Sequence, residues 1–136
     1  MGKGVSLLRS SGEVSYKLVI PGRLHSLNQY IDSSRRNQYA GAKMKRDDQH
    51  IVEWHIRSQL RGVHIHKPVW MYYTFYEPNK KRDHDNVSSF ARKVCQDALV
   101  TCKVLENDGW GCVTGYTDSF DVDKKNPRIE VVIKEE

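Results

Sequence analysis

In the stretch VSYKLVIP, Val14, Tyr16, Leu18 and Ile20 alternate with smaller or polar neighbours, the period of a half-buried strand, and Pro21 and Gly22 end it. From about Ala42 to Leu60 the period becomes helical. Met44 and Ile51 lie seven apart, Val52, Ile56 and Leu60 follow at fours, and Gly62 closes the helix. KPVWMYYTFYE is aromatic and β-branched on both faces, which predicts an interior strand. The same aromatics could form a base-stacking platform, although aromatic-rich strands are more often core. A second helix is predicted where Val87, Phe90, Ala91, Val94, Ala98 and Cys102 form one apolar stripe. CVTGYTDSF and RIEVVIK then read as two strands around the turn DKKNP.

Polar segments separate these elements. Residues 1–13 read as a flexible N-terminal segment, and RLHSLNQYIDSSRRNQYAG, rich in turn formers and basic residues, as a long exposed loop. The order β-α-β-α-β-β over residues 14–136 predicts a single α+β domain with one mixed sheet and helices packed on it. A length of 136 residues is that of one domain able to bury a core.

Composition narrows the classes. No apolar stretch approaches the ~18 residues that crossing a bilayer needs, and Ser6–Leu8 is broken at Arg9 before it could form a secretory leader. A cytoplasmic protein without a membrane partner is expected. Cys95, Cys102 and Cys112 contain no CxxC pair, and His64 with His66 would supply only two ligands, so neither disulfides nor a zinc site is suggested. The net charge is +5, and residues 1–46 hold nine Lys or Arg against only Glu13 and Asp32. Such asymmetry suits a polyanion, although many soluble domains are mildly basic without one.

The densest chemistry lies in NKKRDHDN, residues 79–86. One reading is a solvated loop ending in a helix cap, since Asp and Asn are preferred there. The other is a hard-cation site beside a phosphate-binding surface. If residues 83–85 are extended, Asp83 and Asp85 point the same way with Cα atoms roughly 6.5–7 Å apart, and both can reach one ion. Asp108, in the loop after the second helix, is placed by chain order to add a third carboxylate. Magnesium fits such oxygen donors and keeps several waters that a phosphate can replace. Lys93 shares a helical face with Asn86, about 10 Å along the axis, and could reach back toward a phosphate or stand exposed near Asp97. EF-hand spacing, a Walker loop, GxSxG and HExxH are all absent.

RDHDN, KVCQDALV and LENDGW together resemble the signature of the RusA family of crossover-junction endodeoxyribonucleases, with its D-x-D-N motif, its helix carrying D-A-L and a later acidic pair. The ending DSFDVDKKNPRIEVVIKEE is similar to that of phage and prophage members, and the likeness covers roughly residues 14–136. The resemblance implies a homodimeric, magnesium-dependent nuclease that resolves four-way DNA junctions by paired nicks, with Asp83, Asp85 and Asp108 as metal ligands. The family's essential lysine usually stands three residues after the asparagine, where this chain has Ser89; Lys93, one turn further, is the natural substitute. Asn107 replaces the first member of the acidic pair. Arg35, Arg36, Lys43, Lys45, Arg46, Lys80, Lys81 and Arg82 would then follow the DNA backbone, where most protein–DNA hydrogen bonds go. Two rivals stay open: a metal-dependent nuclease for other nucleic acids, and a non-catalytic binding protein.

Overall fold

The computed structural model describes residues 7–10 and 13–136. Its elements run β1 (Leu7–Ser10), β2 (Glu13–Pro21), α1 (Leu27–Arg36), α2 (Gln38–Gln59), β3 (Val69–Glu77), α3 (His84–Thr101), β4 (Val113–Val122) and β5 (Arg128–Glu135). They form an α+β domain with one mixed sheet in the order β1-β2-β5-β3-β4. β3 and β4 are parallel, and the other pairs are antiparallel.

β3 is interior, as its two-sided apolar character predicts, and it divides its aromatics between the faces. Met71, Tyr73 and Phe75 are buried beneath the helices with Leu18, Ile20, Val131 and Ile133. Trp70, Tyr72 and Tyr76 take the alternate positions, which belong to the opposite face of the sheet. The stripe of α3 packs as predicted, with Val87, Phe90, Ala91, Val94 and Ala98 buried. No helix among the described residues is long and apolar enough to cross a membrane.

Four expectations change. The segment read as a long loop contains α1, and α2 begins at Gln38 rather than near Ala42. Ser26 and Gln29 form a reciprocal capping box, and Tyr30 stacks on Phe90 with centroids 4.5 Å apart. Only Leu27, Tyr30 and Ile31 are large and apolar in α1, so tertiary packing rather than a strong stripe holds it. Asn37 joins the two helices as C-cap of one and N-cap of the next. A Cβ on Gly41 would lie 2.1 Å from the Ser34 hydroxyl, so glycine permits that close approach.

Second, residues 7–10, within the segment expected to be flexible, pair as a strand with residues 13–16 of β2; residues 1–6 and 11–12 lie outside the described residues. Beyond this hairpin the Gln59 side chain serves the β2 edge, accepting from Val19 N and donating to Val19 O, both at 2.7 Å. Third, Ile51 is 46% exposed beside Trp54 instead of joining Val52 and Ile56 in the core. Fourth, β4 and β5 are not neighbours: the 123–127 turn carries the chain over the end of β3, where Asp123 N donates to Glu77 O at 2.8 Å.

Candidate active site at the start of α3

Asp83 is the N-cap of α3, and its carboxylate accepts from Asn86 N at 2.9 Å. Asp85 lies inside the first turn, so residues 83–85 enter a helix instead of remaining extended. Asp83 therefore caps the helix, as one reading of the motif expects, and Asp85 is exposed with no ion pair among the described residues. The positive end of the helix dipole favours both carboxylates here. Asn86 Oδ1 accepts from Asn28 N at 2.9 Å, fastening the start of α1 to the start of α3.

Asp83 and Asp85 border a cleft of about 900 Å³ whose other wall is Phe120, Asp121 and Val122 of β4. The His84 ring stacks on Phe120, with centroids 4.0 Å apart and planes 4° from parallel. Glu77 closes the floor, paired with Arg23 at 2.8 Å. Asp121 reaches this cleft through the parallel pairing of β3 with β4, which sets it opposite Tyr76.

The basic residues divide into two groups. Lys80 and Lys81 are exposed, and Lys80 lines the cleft. Arg82 turns inward to donate to Leu24 O and Gln29 Oε1, both at 3.1 Å, and burial, followed by Arg23 nearby, holds its pKa below the ordinary value. Lys43 pairs with Asp47 at 2.7 Å and Lys45 with Asp97 at 2.6 Å. Arg35, Arg36 and Arg46 are exposed on α1 and α2.

Asp108 is placed elsewhere. It sits 3.0 Å from Lys93 Nζ, which also pairs with Asp97 at 3.0 Å. The resulting chain, Lys45–Asp97–Lys93–Asp108, ties α2, α3 and the following loop together. The hydrogen bonds that Lys93 donates to Asp108 and Asp97 raise its pKa. Burial would raise the Asp97 pKa, but the two lysines outweigh it and hold that carboxyl below its usual value. Lys93 thus lies near Asp97, as one reading of its spacing anticipates, with a second partner that spacing could not reveal.

Among the described residues, no three His, Cys, Asp or Glu side chains gather closely enough to hold one metal ion. A three-aspartate site is therefore not preassembled. The donor chemistry of Asp83 and Asp85 fits magnesium held by one or two carboxylates, with water and substrate phosphate in the remaining positions.

No family model matches this chain, and no curated protein matches it. Among solved structures, AaThiL complexed with AMPPCP and TMP superposes with a TM-score of 0.44 and 12% identity, over 99% of this chain and 36% of that one. This chain therefore spans about a third of that protein's length, and the likeness is too low to bear on function.

Proposed function

We propose that the protein is a magnesium-dependent endodeoxyribonuclease of RusA type, acting as a homodimer to resolve four-way DNA junctions by paired nicks. The observation that carries this reading is the pair Asp83 and Asp85 on an open cleft, with Asp85 unpaired among the described residues, Lys80 in the lining and Lys81 exposed next to it in sequence. Asp83 and Asp85 would hold the magnesium, which when bound lowers the pKa of water and neutralises charge building on the phosphate. Asn86 fixes Asp83 from the first turn of α3, so one ligand is oriented before substrate arrives. Lys80 and Lys81 attract the phosphate backbone toward that point. A twofold dimer would present two equivalent clefts to symmetry-related strands.

Placement of Asp108 on Lys93 favours a second reading, a DNA-binding protein on this fold that does not cut. One experiment separates them. A labelled four-way junction, a linear duplex and a single strand are incubated with the protein and with Asp85→Asn, in magnesium and in EDTA. Symmetric nicks on the junction alone, lost in EDTA and in the variant, are the expected result. Binding without nicks under every condition would establish the second reading, and equal cutting of all substrates would remove the junction preference.

A further inference from the structure

Trp110 is 92% exposed. Its exposure does not come from a slack loop. Gly109 N donates to Asn107 Oδ1 at 2.8 Å, and Gly109 O accepts from Cys112 N at 3.0 Å and Val113 N at 2.9 Å, so a closed turn carries the indole outward. A large apolar ring left in water in this way forgoes much of the stabilisation its burial would bring.

The ring borders a cleft of about 470 Å³ shared with Ser89, Arg92, Lys93 and Tyr116. The Arg92 guanidinium covers the Tyr116 ring at 4.0 Å and is also paired with Asp118, so that aromatic face is occupied. Trp110 has no ring partner among the described residues. Lys93 directs its ammonium to Asp97 and Asp108; an ammonium has three donors, which leaves one N–H for a further acceptor. A protein partner covering Trp110 would find only one aliphatic side chain in the cleft, Val113, among charged and hydroxyl groups. A nucleotide meets both features, a π-face for the indole and a phosphate for the ammonium.

The location agrees with that occupant. Asp85, Ser89 and Lys93 follow at intervals of four on α3, so Lys93 lies roughly 12 Å along the helix from Asp85. A DNA strand covers that distance in roughly three to four nucleotides at 3.4 Å each.

We propose that this cleft is a second DNA subsite, in which Trp110 stacks on an unpaired base and Lys93 takes the adjacent phosphate. The inference rests on the DNA reading above and deepens it: the preferred substrate presents unpaired bases a few nucleotides from the point of cutting, as an opened branch point does.

The test uses the intact protein in EDTA, where magnesium-dependent cutting is suppressed. Binding of an oligothymidylate of about eight nucleotides, within the usual span of single-strand sites, is compared with that of an abasic oligomer carrying the same phosphates. Trp110→Ala should weaken oligothymidylate binding by about 5- to 150-fold, the range for losing one stacked base. It should leave abasic binding unchanged, and Trp110→Phe should restore most of the loss. Tryptophan fluorescence should be quenched by oligothymidylate in the wild type and much less in Trp110→Phe. Wild-type binding that ignores the bases, or an unchanged affinity in Trp110→Ala, would overturn the subsite. Junction nicking by the wild type in magnesium is scored separately, so loss of the nuclease reading and loss of the stacking site give different patterns.

Discussion

At the start of α3, Asp85 stands exposed without an ion pair among the described residues, whereas Lys93, on the same helical face, is held by two carboxylates. The two regions lie roughly 12 Å apart on one helix. In the second, charges alternate in sign from Lys45 through Asp97 and Lys93 to Asp108, and each is ion-paired with its neighbours, with one N–H of Lys93 left over. In the first, Asp83 and Asp85 concentrate like charge that no ion pair among the described residues offsets, the helix dipole contributing about 0.3–1 kcal/mol per group. Alternating charge fastens elements together; uncompensated charge at a cleft favours a ligand that will neutralise it.

The sharpest way to break this contrast is Asp85→Asn. Nicking of a four-way junction in magnesium should fall by more than about 100-fold, beyond the loss typical when only an outer-shell partner of a metal is removed. Because the side chain is exposed, stability should move by no more than about 0.5 kcal/mol. Equal activity in the variant would place the chemistry elsewhere.

Magnesium itself should raise Tm. At about 100 times its Kd a ligand adds ~2.7 kcal/mol, and in a chain of this size each kcal/mol corresponds to about 3–4 °C. The rise should vanish in Asp85→Asn and persist in Asp108→Asn if the donor set is the one at the start of α3. A rise abolished equally by Asp108→Asn would mean that Asp108 leaves Lys93 to join the ion.

Asp83 separates capping from ligation. Asp83→Ala should lose about 1 kcal/mol with the cap, measured by urea unfolding. Asp83→Ser keeps a capping oxygen and should retain most of that stability while losing junction cleavage. If Asp83→Ser cuts normally, Asp83 is a cap and nothing more.

The smallest effect belongs to the paired region. The folded pKa of Asp97 lies below its ordinary value, so its contribution is present at neutral pH and is lost as pH falls through that lowered value. Asp97→Asn should flatten the acid limb of the stability curve by less than about 1 kcal/mol, since Lys93 is largely exposed and the pairs are screened. An unchanged acid limb would show that the network adds nothing measurable.

Much of the architecture was legible in the chain. Alternation in VSYKLVIP and the stripe from Val87 to Ala98 identify β2 and α3, and the two-sided KPVWMYYTFYE correctly places β3 inside the sheet. α1 was missed because its few apolar residues give a weak period, although Ser26 and Gln29 carried the capping-box signal. Asp83, Asp85, Lys80 and Lys81 were legible as a group because they are adjacent in sequence. Asp121 and Trp110 were not, since a strand residue and a loop tryptophan acquire meaning only from what stands opposite them.

The amino-acid sequence alone determined the local structure: helical and strand periods, caps, and the density of charge around Asp85, all of which act over a few residues. The fold decided which distant groups meet. Setting β3 between β5 and β4 brings Asp121 to the cleft. Docking of the loop after α3 gives Asp108 to Lys93 instead of to the other aspartates. Such pairings follow from the packing of whole elements, because a charge takes the partner that the chain's path brings within reach, however far away it stands in sequence.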